Sequence, residues 1–161
     1  MVIGAILLLD TGWVAVMFAV ALLVAAQEMA RLANLRAVTS QSLFVATVGV
    51  ALALGWYHLL PDHVMALQWA MAAWWCVVTV SLVFRHRVLG LVDTGRPAVL
   101  MIGVLVFVSA WLSVVALHGS GDTGPYWVLL LFALIWLADS GAYFAGRAFG
   151  KRKLSPNVSP G

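Results

Sequence analysis

Asp139 is the side chain whose type and position point most directly to chemistry. It follows thirteen uninterrupted apolar residues, 126–138, and a carboxylate facing lipid at the centre of a membrane helix costs about 2.5–3.5 kcal/mol. If the segment is one helix, Asp139, Tyr143, Gly146 and Gly150 share a face, because they are spaced by four, three and four residues. We therefore predict that Asp139 faces protein or water rather than lipid and has a functional role, since acids inside membrane helices usually mark functional sites.

A packing role would produce the same pattern. Gly146 and Gly150 form a GxxxG motif, which lets two membrane helices approach closely, and Asp139 would then only form a hydrogen bond to a neighbouring helix. We favour the functional interpretation because the acid is costly to place in a membrane for packing alone.

The segment 150–161, Gly-Lys-Arg-Lys-Leu-Ser-Pro-Asn-Val-Ser-Pro-Gly, is the second candidate for chemistry. Its prolines block helix formation, so we predict a shaped basic loop on the cytoplasmic side of the membrane. Cations and hydroxyl groups at a bilayer surface suit the phosphates of lipids or nucleotides. For the three cations alone, an ordinary anchor at the cytoplasmic border is the simpler interpretation.

The other polar side chains have simpler explanations. Glu28 lies at the end of an apolar stretch beside Arg31 and Arg36, and we predict an ion pair at the end of a helix. The four histidines are scattered without the spacing of metal ligands, and the single cysteine, Cys76, allows no internal disulfide or cysteine metal cluster.

Composition places most of the chain in lipid. Of its 161 residues, 64% are hydrophobic and only 9% are charged, whereas soluble domains carry about 25% charged residues. The net charge of +3 needs no nucleic-acid partner, because Lys and Arg are common at cytoplasmic membrane borders.

Hydrophobic runs then predict an all-α, polytopic membrane protein that forms a single transmembrane domain over residues 1–161. About 20 residues of helix cross the hydrocarbon. Five runs are long enough to span it, and they occupy residues 12–30, 43–60, 64–84, 98–117 and 126–149. Residues 1–9 are apolar but too short to span alone, so we interpret them as the tail of a helix whose beginning is missing.

The charges between these runs alternate. All nine Lys and Arg residues fall in alternate connections and in the tail, while the connections between them carry only acids and histidines. Because positive charge accumulates in cytoplasmic loops, the basic connections are predicted to be cytoplasmic. A missed or an invented helix would have mixed the two sets.

Residues 137–161, Leu-Ala-Asp-Ser-Gly-Ala-Tyr-Phe-Ala-Gly-Arg-Ala-Phe-Gly-Lys-Arg-Lys-Leu-Ser-Pro-Asn-Val-Ser-Pro-Gly, resemble the bacterial phosphatidate cytidylyltransferases, also called CDP-diglyceride synthases. That family shows an Ala-Asp-Ser-Gly-Ala-Tyr helix, then Gly-Lys-x-Lys-Leu, and then x-Val-Ser-Pro-Gly-Lys-Thr. The match covers about 25 contiguous residues and is specific. Upstream, the resemblance is limited to a similar order of spans and an acid near Glu28.

The resemblance implies a reaction between CTP and phosphatidate that gives CDP-diacylglycerol and pyrophosphate with the help of Mg²⁺, in the inner membrane of a bacterium. Lys151 and Lys153 would bind phosphate, Ser155 and Ser159 would orient it, and Asp139 would line the cavity that admits the lipid headgroup. The metal ligands are not identified. The oligomeric state stays open, with a homodimer among the options.

This chain departs from the family pattern at its end. The Ser-Pro-Gly-Lys-Thr motif stops at Gly161, and the family's later helices, with a Lys-Asp and an Asp-Arg-x-Asp signature, are absent. We therefore expect an amino-terminal portion of such an enzyme, inactive by itself. Two alternatives remain: a related CTP-dependent lipid-alcohol kinase, and a non-catalytic membrane protein or transporter.

Overall fold

The computed structural model describes residues 2–58, 64–83 and 95–149, and all of its regular structure there is helical. Lipid offers the backbone no hydrogen-bonding partner, so a helix, which satisfies its own N–H and C=O groups, is the form these apolar runs must take. In chain order the helices of the described ranges are α1 (Val2–Leu8), α2 (Thr11–Leu32), α3 (Val38–His58), α4 (Val64–Val83), α5 (Gly95–His118) and α6 (Gly124–Phe149).

The helices confirm the all-α prediction, and most bounds lie close to those expected. The start of α3 is the exception, because the helix begins at Val38 whereas the apolar run suggested residue 43. Its first turns are polar and were assigned to the connection. In the structure Gln41 accepts a hydrogen bond from the Gln27 side chain at 2.8 Å and donates one to the Leu35 carbonyl at 2.6 Å. These bonds join the end of α2 to the start of α3.

In the described part of the chain, four helices are long and apolar enough to cross a membrane: α2, α3, α5 and α6. Helix α4 contributes a shorter apolar stretch, Met65–Val80, so the fifth full span stays a prediction. Pro97 and Pro125 each lie in the first turn of a helix, where the missing N–H group would have had no partner within the helix.

Helix α5 is the element that α2, α3, α4 and α6 all contact, while α1 packs against α6. At one end of α5, Gly103 lies against Met29 of α2, and a side chain at Gly103 would collide with the Met29 thioether. At the other end, His118 meets Thr11 at the start of α2. Helices α2 and α5 are therefore antiparallel.

The same kind of contact fixes the direction of the other helices. Leu112, late in α5, lies beside Gly55, late in α3, so α3 and α5 are parallel. Gln68, early in α4, donates a hydrogen bond of 3.2 Å to Ser113, late in α5, so these two helices are antiparallel. The long helices of the described ranges thus alternate in direction, as the alternating charges predicted.

The core lies between α2, α3 and α5. Its buried side chains are mostly small or aliphatic, and Val48 and Leu112 are fully buried. Trp111 is the large aromatic member of this core, and its indole N–H donates a hydrogen bond of 2.8 Å to the Ala15 carbonyl of α2. The bond gives the only polar atom of the Trp111 side chain a partner within the apolar core, and it links the two helices.

A tight turn joins α5 to α6 and requires glycine at position 124. A Cβ atom there would collide with the backbone carbonyls of His118 and Leu117. Because these are backbone atoms, the clash could not be relieved by a change of rotamer. The short turn holds the start of α6 against the end of α5, so α6 runs parallel to α2, and Phe132 of α6 stacks on Phe18 of α2 with ring centroids 5.5 Å apart.

We expect Trp111→Phe to lower the free energy of unfolding by about 0.5–1.5 kcal/mol, because it removes a hydrogen bond between helices while it keeps an aromatic ring in place. Trp136→Phe is the matched control, since Trp136 is half exposed and its ring contact is with Phe132 of its own helix. Thermal unfolding in detergent measures both. Equal stability of the two variants would contradict the role given to the Trp111 bond.

Candidate functional site

The second half of α6 carries the candidate site, and none of its residues from 134 to 149 is buried in the described chain. Every residue from 134 to 149 is exposed, although the start of the same helix is packed and Val128 is fully buried. The turn at Gly124 holds the start of α6 against α5, and the buried residues of α6 lie near that start. The prediction that Asp139 lies on a regular helix within this segment is confirmed.

Asp139, Tyr143 and Gly146 share one face of α6 because of their spacing. The Tyr143 ring lies edge-on to the ring of Phe144, with centroids 5.4 Å apart. Within the described ranges, no hydrogen bond or ion pair engages the Asp139 carboxylate. The hydrogen bond to a neighbouring helix that the packing interpretation requires is therefore not found among those residues.

Asp139 lies within α6, which is long and apolar enough to cross a membrane. It lies fifteen residues beyond Gly124, which corresponds to about 22 Å along the helix axis, in a hydrocarbon layer about 30 Å thick. A carboxylate at such a depth needs protein or water around it rather than lipid. The exposed face of α6 therefore requires a polar environment that the described residues do not provide.

Glu28 lies near the same end of the structure as Asp139. Taken from the Phe18–Phe132 stack, Glu28 is ten residues along α2 and Asp139 is seven residues along α6. With a rise of 1.5 Å per residue and parallel helices, their depths differ by only about 5 Å. Both carboxylates thus lie towards the end of the described helices that carries Arg31 and Arg147.

The predicted ion pair of Glu28 is confirmed. An oxygen of the Glu28 carboxylate lies 3.0 Å from a guanidinium nitrogen of Arg31 one turn later, and both side chains are more than half exposed. An exposed pair of this kind contributes at most about 1 kcal/mol, because water competes for both groups. The pair therefore leaves Glu28 accessible.

The described residues do not offer a complete set of ligands for the Mg²⁺ that the resemblance implies. Protein Mg²⁺ sites are built from carboxylates in octahedral geometry, completed by water and phosphate oxygens. Among the described residues, no group of three or more His, Cys, Asp or Glu side chains could hold a metal ion. Asp139 has the right chemistry for a ligand, but α6 carries no second carboxylate.

The remaining predicted site residues lie outside the described residues. Lys151, Lys153, Ser155 and Ser159 all follow Phe149, the last residue of α6. Their assignment to phosphate binding stays a prediction.

His118 is a residue whose role the sequence did not indicate. It looked like part of a polar connection, but it ends α5 and is only 4% exposed. Its Nε2 atom lies 2.9 Å from the Ile6 carbonyl and its Nδ1 atom lies 2.9 Å from the Thr11 hydroxyl. A carbonyl only accepts hydrogen bonds, so Nε2 must carry the proton. One side chain thus joins α1, α2 and α5.

The fold defines a class of protein: a helical membrane protein. One of its helices, α6, carries a carboxylate, Asp139, that has no hydrogen-bond partner among the described residues. The family model described as "Cytidylyltransferase family" matches residues 1–161, and the chain therefore belongs to the cytidylyltransferase family. It is 35% identical to a phosphatidate cytidylyltransferase of Pseudomonas aeruginosa over 159 residues, which cover 99% of this chain and 57% of that protein.

Other bacterial relatives carry the same name. A phosphatidate cytidylyltransferase of Brucella suis is 30% identical over 143 residues, with 74% of this chain and 50% of that protein covered. The Haemophilus influenzae protein is 68% identical over a stretch of 38 residues, 24% of this chain and 13% of the relative. The chain thus covers 57% of the length of the Pseudomonas relative and 50% of the length of the Brucella relative. No solved structure matches it.

We expect Glu28→Gln to change the free energy of unfolding by less than about 1 kcal/mol, because the ion pair with Arg31 is exposed. Arg31→Gln is the matched control, since it removes the same pair from the other side. Chemical unfolding in detergent measures both variants. A loss of several kcal/mol in either one would show that the pair is a structural element rather than an accessible carboxylate beside a cation.

Proposed function

We propose that this chain is part of a membrane nucleotidyltransferase that converts CTP and phosphatidate into CDP-diacylglycerol and pyrophosphate. The observation that carries the proposal is the 35% identity to a phosphatidate cytidylyltransferase, which extends over 99% of the chain rather than over one motif. In this reaction a phosphate oxygen of phosphatidate attacks the α-phosphorus of CTP. The bond from that phosphorus to the bridging oxygen breaks, and pyrophosphate leaves.

The proposed roles follow the charges of the substrates. Both substrates are polyanions, so their approach requires cations to offset repulsion. Lys151 and Lys153 would bind phosphate, and the hydroxyl groups of Ser155 and Ser159 would orient it. Asp139 would keep the cavity polar at the depth of the lipid headgroup. CTP would enter as its magnesium complex, with the triphosphate as a source of metal ligands.

The proposed topology has five crossing helices in one transmembrane domain of residues 1–161, with 150–161 as a basic cytoplasmic loop. The alternating helix directions support it. In the described residues, Arg31, Arg36 and Arg147 lie towards one end of the structure, while Asp10 and Asp122 lie towards the other. The positive-inside rule assigns the first end to the cytoplasm of a bacterial cell and the second to the periplasm.

Reporter fusions test whether α4 crosses. A reporter fused after Asp62 should be active in the periplasm, and one fused after Arg87 should be active in the cytoplasm, because α4 connects these two positions. Fusions after Arg36 and Asp122 are the controls for the two sides. If the reporters after Asp62 and Arg87 report the same side, α4 does not cross and the five-helix topology fails.

A chimera tests the reaction. Residues 1–161 are joined to the remaining part of the Pseudomonas aeruginosa relative, and the product is purified in detergent and incubated with labelled CTP, Mg²⁺ and phosphatidate. We expect formation of CDP-diacylglycerol. Incubation with a polyprenol in place of phosphatidate tests the kinase alternative. Phosphorylation of the polyprenol without any CDP-diacylglycerol would overturn the proposal.

In the same chimera we expect Asp139→Asn to lower kcat/KM at least about tenfold, a loss of about 1.4 kcal/mol of transition-state stabilisation. Insertion should not suffer, because the variant removes a charge from the membrane. Asp122→Asn, at the other end of the bundle, is the matched control and should be silent. Near-normal turnover of Asp139→Asn would support the packing role, since Asn still forms hydrogen bonds between helices.

A further inference from the structure

A groove runs along the outer surface of the bundle between α2 and α3. Its volume is about 340 Å³. Small side chains on both helices leave the space open, and Trp111 of α5 closes part of its floor. The lining residues from α2 are Gly12, Ala15, Val16, Ala19 and Leu23, and those from α3 are Gly49, Leu52, Ala53, Trp56 and Tyr57.

Along most of its length the groove offers water no hydrogen-bonding partner. Ala15, Leu52 and Trp111 form a buried floor, and the indole N–H of Trp111 is already bonded to the Ala15 carbonyl. Water is retained at a protein surface of this kind only where it finds two or more polar partners. An apolar occupant therefore fits the groove better than water does, and α2 and α3 are both helices that can cross a membrane.

The length of the groove matches one leaflet of a bilayer. Gly12 and Leu23 are eleven residues apart on α2, which corresponds to about 16 Å along the axis, and half of the hydrocarbon layer is about 15 Å thick. The groove therefore runs from one membrane surface to the bilayer centre, as a single acyl chain does.

The outer end of the groove carries a negative charge, that of Asp10. Asp10 directly precedes α2 at the N-cap position, yet its side chain makes no capping hydrogen bond. Its exposed carboxylate lies two residues from Gly12, where the groove begins. Trp56 and Tyr57, both exposed, flank the same end, as amphipathic rings do at the level of lipid headgroups.

The charges of the described residues are distributed unequally. Arg31, Arg36 and Arg147 lie towards the opposite end of the helices from Asp10. A headgroup at this end would therefore meet a carboxylate. An ammonium group would be attracted by it, whereas a headgroup with only negative charge would be repelled.

We propose that the groove between α2 and α3 binds one acyl chain of a phospholipid whose headgroup carries an ammonium group, and that this group lies beside Asp10. The site is separate from the Asp139 face of α6. It lies in the leaflet opposite to the basic end of the bundle, so its lipid is a bound companion of the protein rather than the substrate of the proposed reaction.

Photocrosslinking tests the proposal with the whole chain in lipid nanodiscs. Two probes with the same diazirine-bearing acyl chain are used at a low mole fraction, one a phosphatidylethanolamine and the other a phosphatidylglycerol. Mass spectrometry then locates the labelled residues. We expect the ethanolamine probe to label the groove residues of α2 and α3 more strongly than the exposed residues 134–149 of α6, which lipid contacts without a groove.

Variants separate the groove from the general lipid surface. Ala19→Leu and Ala53→Leu fill the groove from its two walls and should reduce its labelling several-fold. Ala21→Leu is the matched control, because Ala21 is an exposed residue of α2 outside the groove. Asp10→Asn should remove the preference for the ethanolamine probe, which we expect to be about two- to fivefold, the effect of an exposed ion pair.

Two results would overturn the proposal. Groove labelling that equals that of α6 and persists in both filled variants would show that the lipid is ordinary solvent. Equal labelling by the two probes in the unmodified chain would show that the groove does not prefer a headgroup with an ammonium group. Circular dichroism of each variant confirms that the helices are retained, and Ala53→Leu serves as a second test because Ala53 is exposed and can be enlarged without disturbing the core.

Discussion

The hydrogen bond from the Trp111 indole to the Ala15 carbonyl fixes the contact between α2 and α5 on which the rest of the bundle depends. Lipid supplies no hydrophobic force between membrane helices, so close packing and a few polar contacts must hold them together. Helix α5 meets these requirements on several sides at once, because Gly103 admits Met29 of α2 and Ser113 accepts a hydrogen bond from α4. The other long helices that the structure describes take their directions from these contacts.

The arrangement around α5 also explains why the candidate site is exposed. The turn at Gly124 joins the start of α6 to the core, whereas residues 134–149 are all exposed. A carboxylate on this unpacked segment has no role in stabilising the described bundle. The chain spans 57% of the length of its Pseudomonas relative, and the residues that the structure describes do not surround Asp139 with polar groups.

The two ends of the bundle differ in chemistry. One end combines Arg31 and Arg147 with the accessible carboxylate of Glu28. At the other end, His118 joins α1, α2 and α5 through two hydrogen bonds and closes the bundle. In the proposed reaction, CTP would be used at the end of the bundle that carries the arginines.

The sequence by itself determined the class of fold, the main helices, their alternation and the family. These features depend on local properties: the length of an apolar run, the placement of charges between runs, and one contiguous motif around Asp139. The sequence placed the start of α3 five residues late, because the polar side chain of Gln41 resembles a loop residue until its partners, the Gln27 side chain of α2 and the Leu35 carbonyl, are known. It gave His118 no role for the same reason, since the atoms that bond its ring lie more than a hundred positions away in the chain. Only the tertiary structure decided which polar side chains are buried between helices and which, like Asp139, are exposed without a hydrogen-bond partner among the described residues. The reason is that the burial of a side chain depends on neighbours that are distant in sequence.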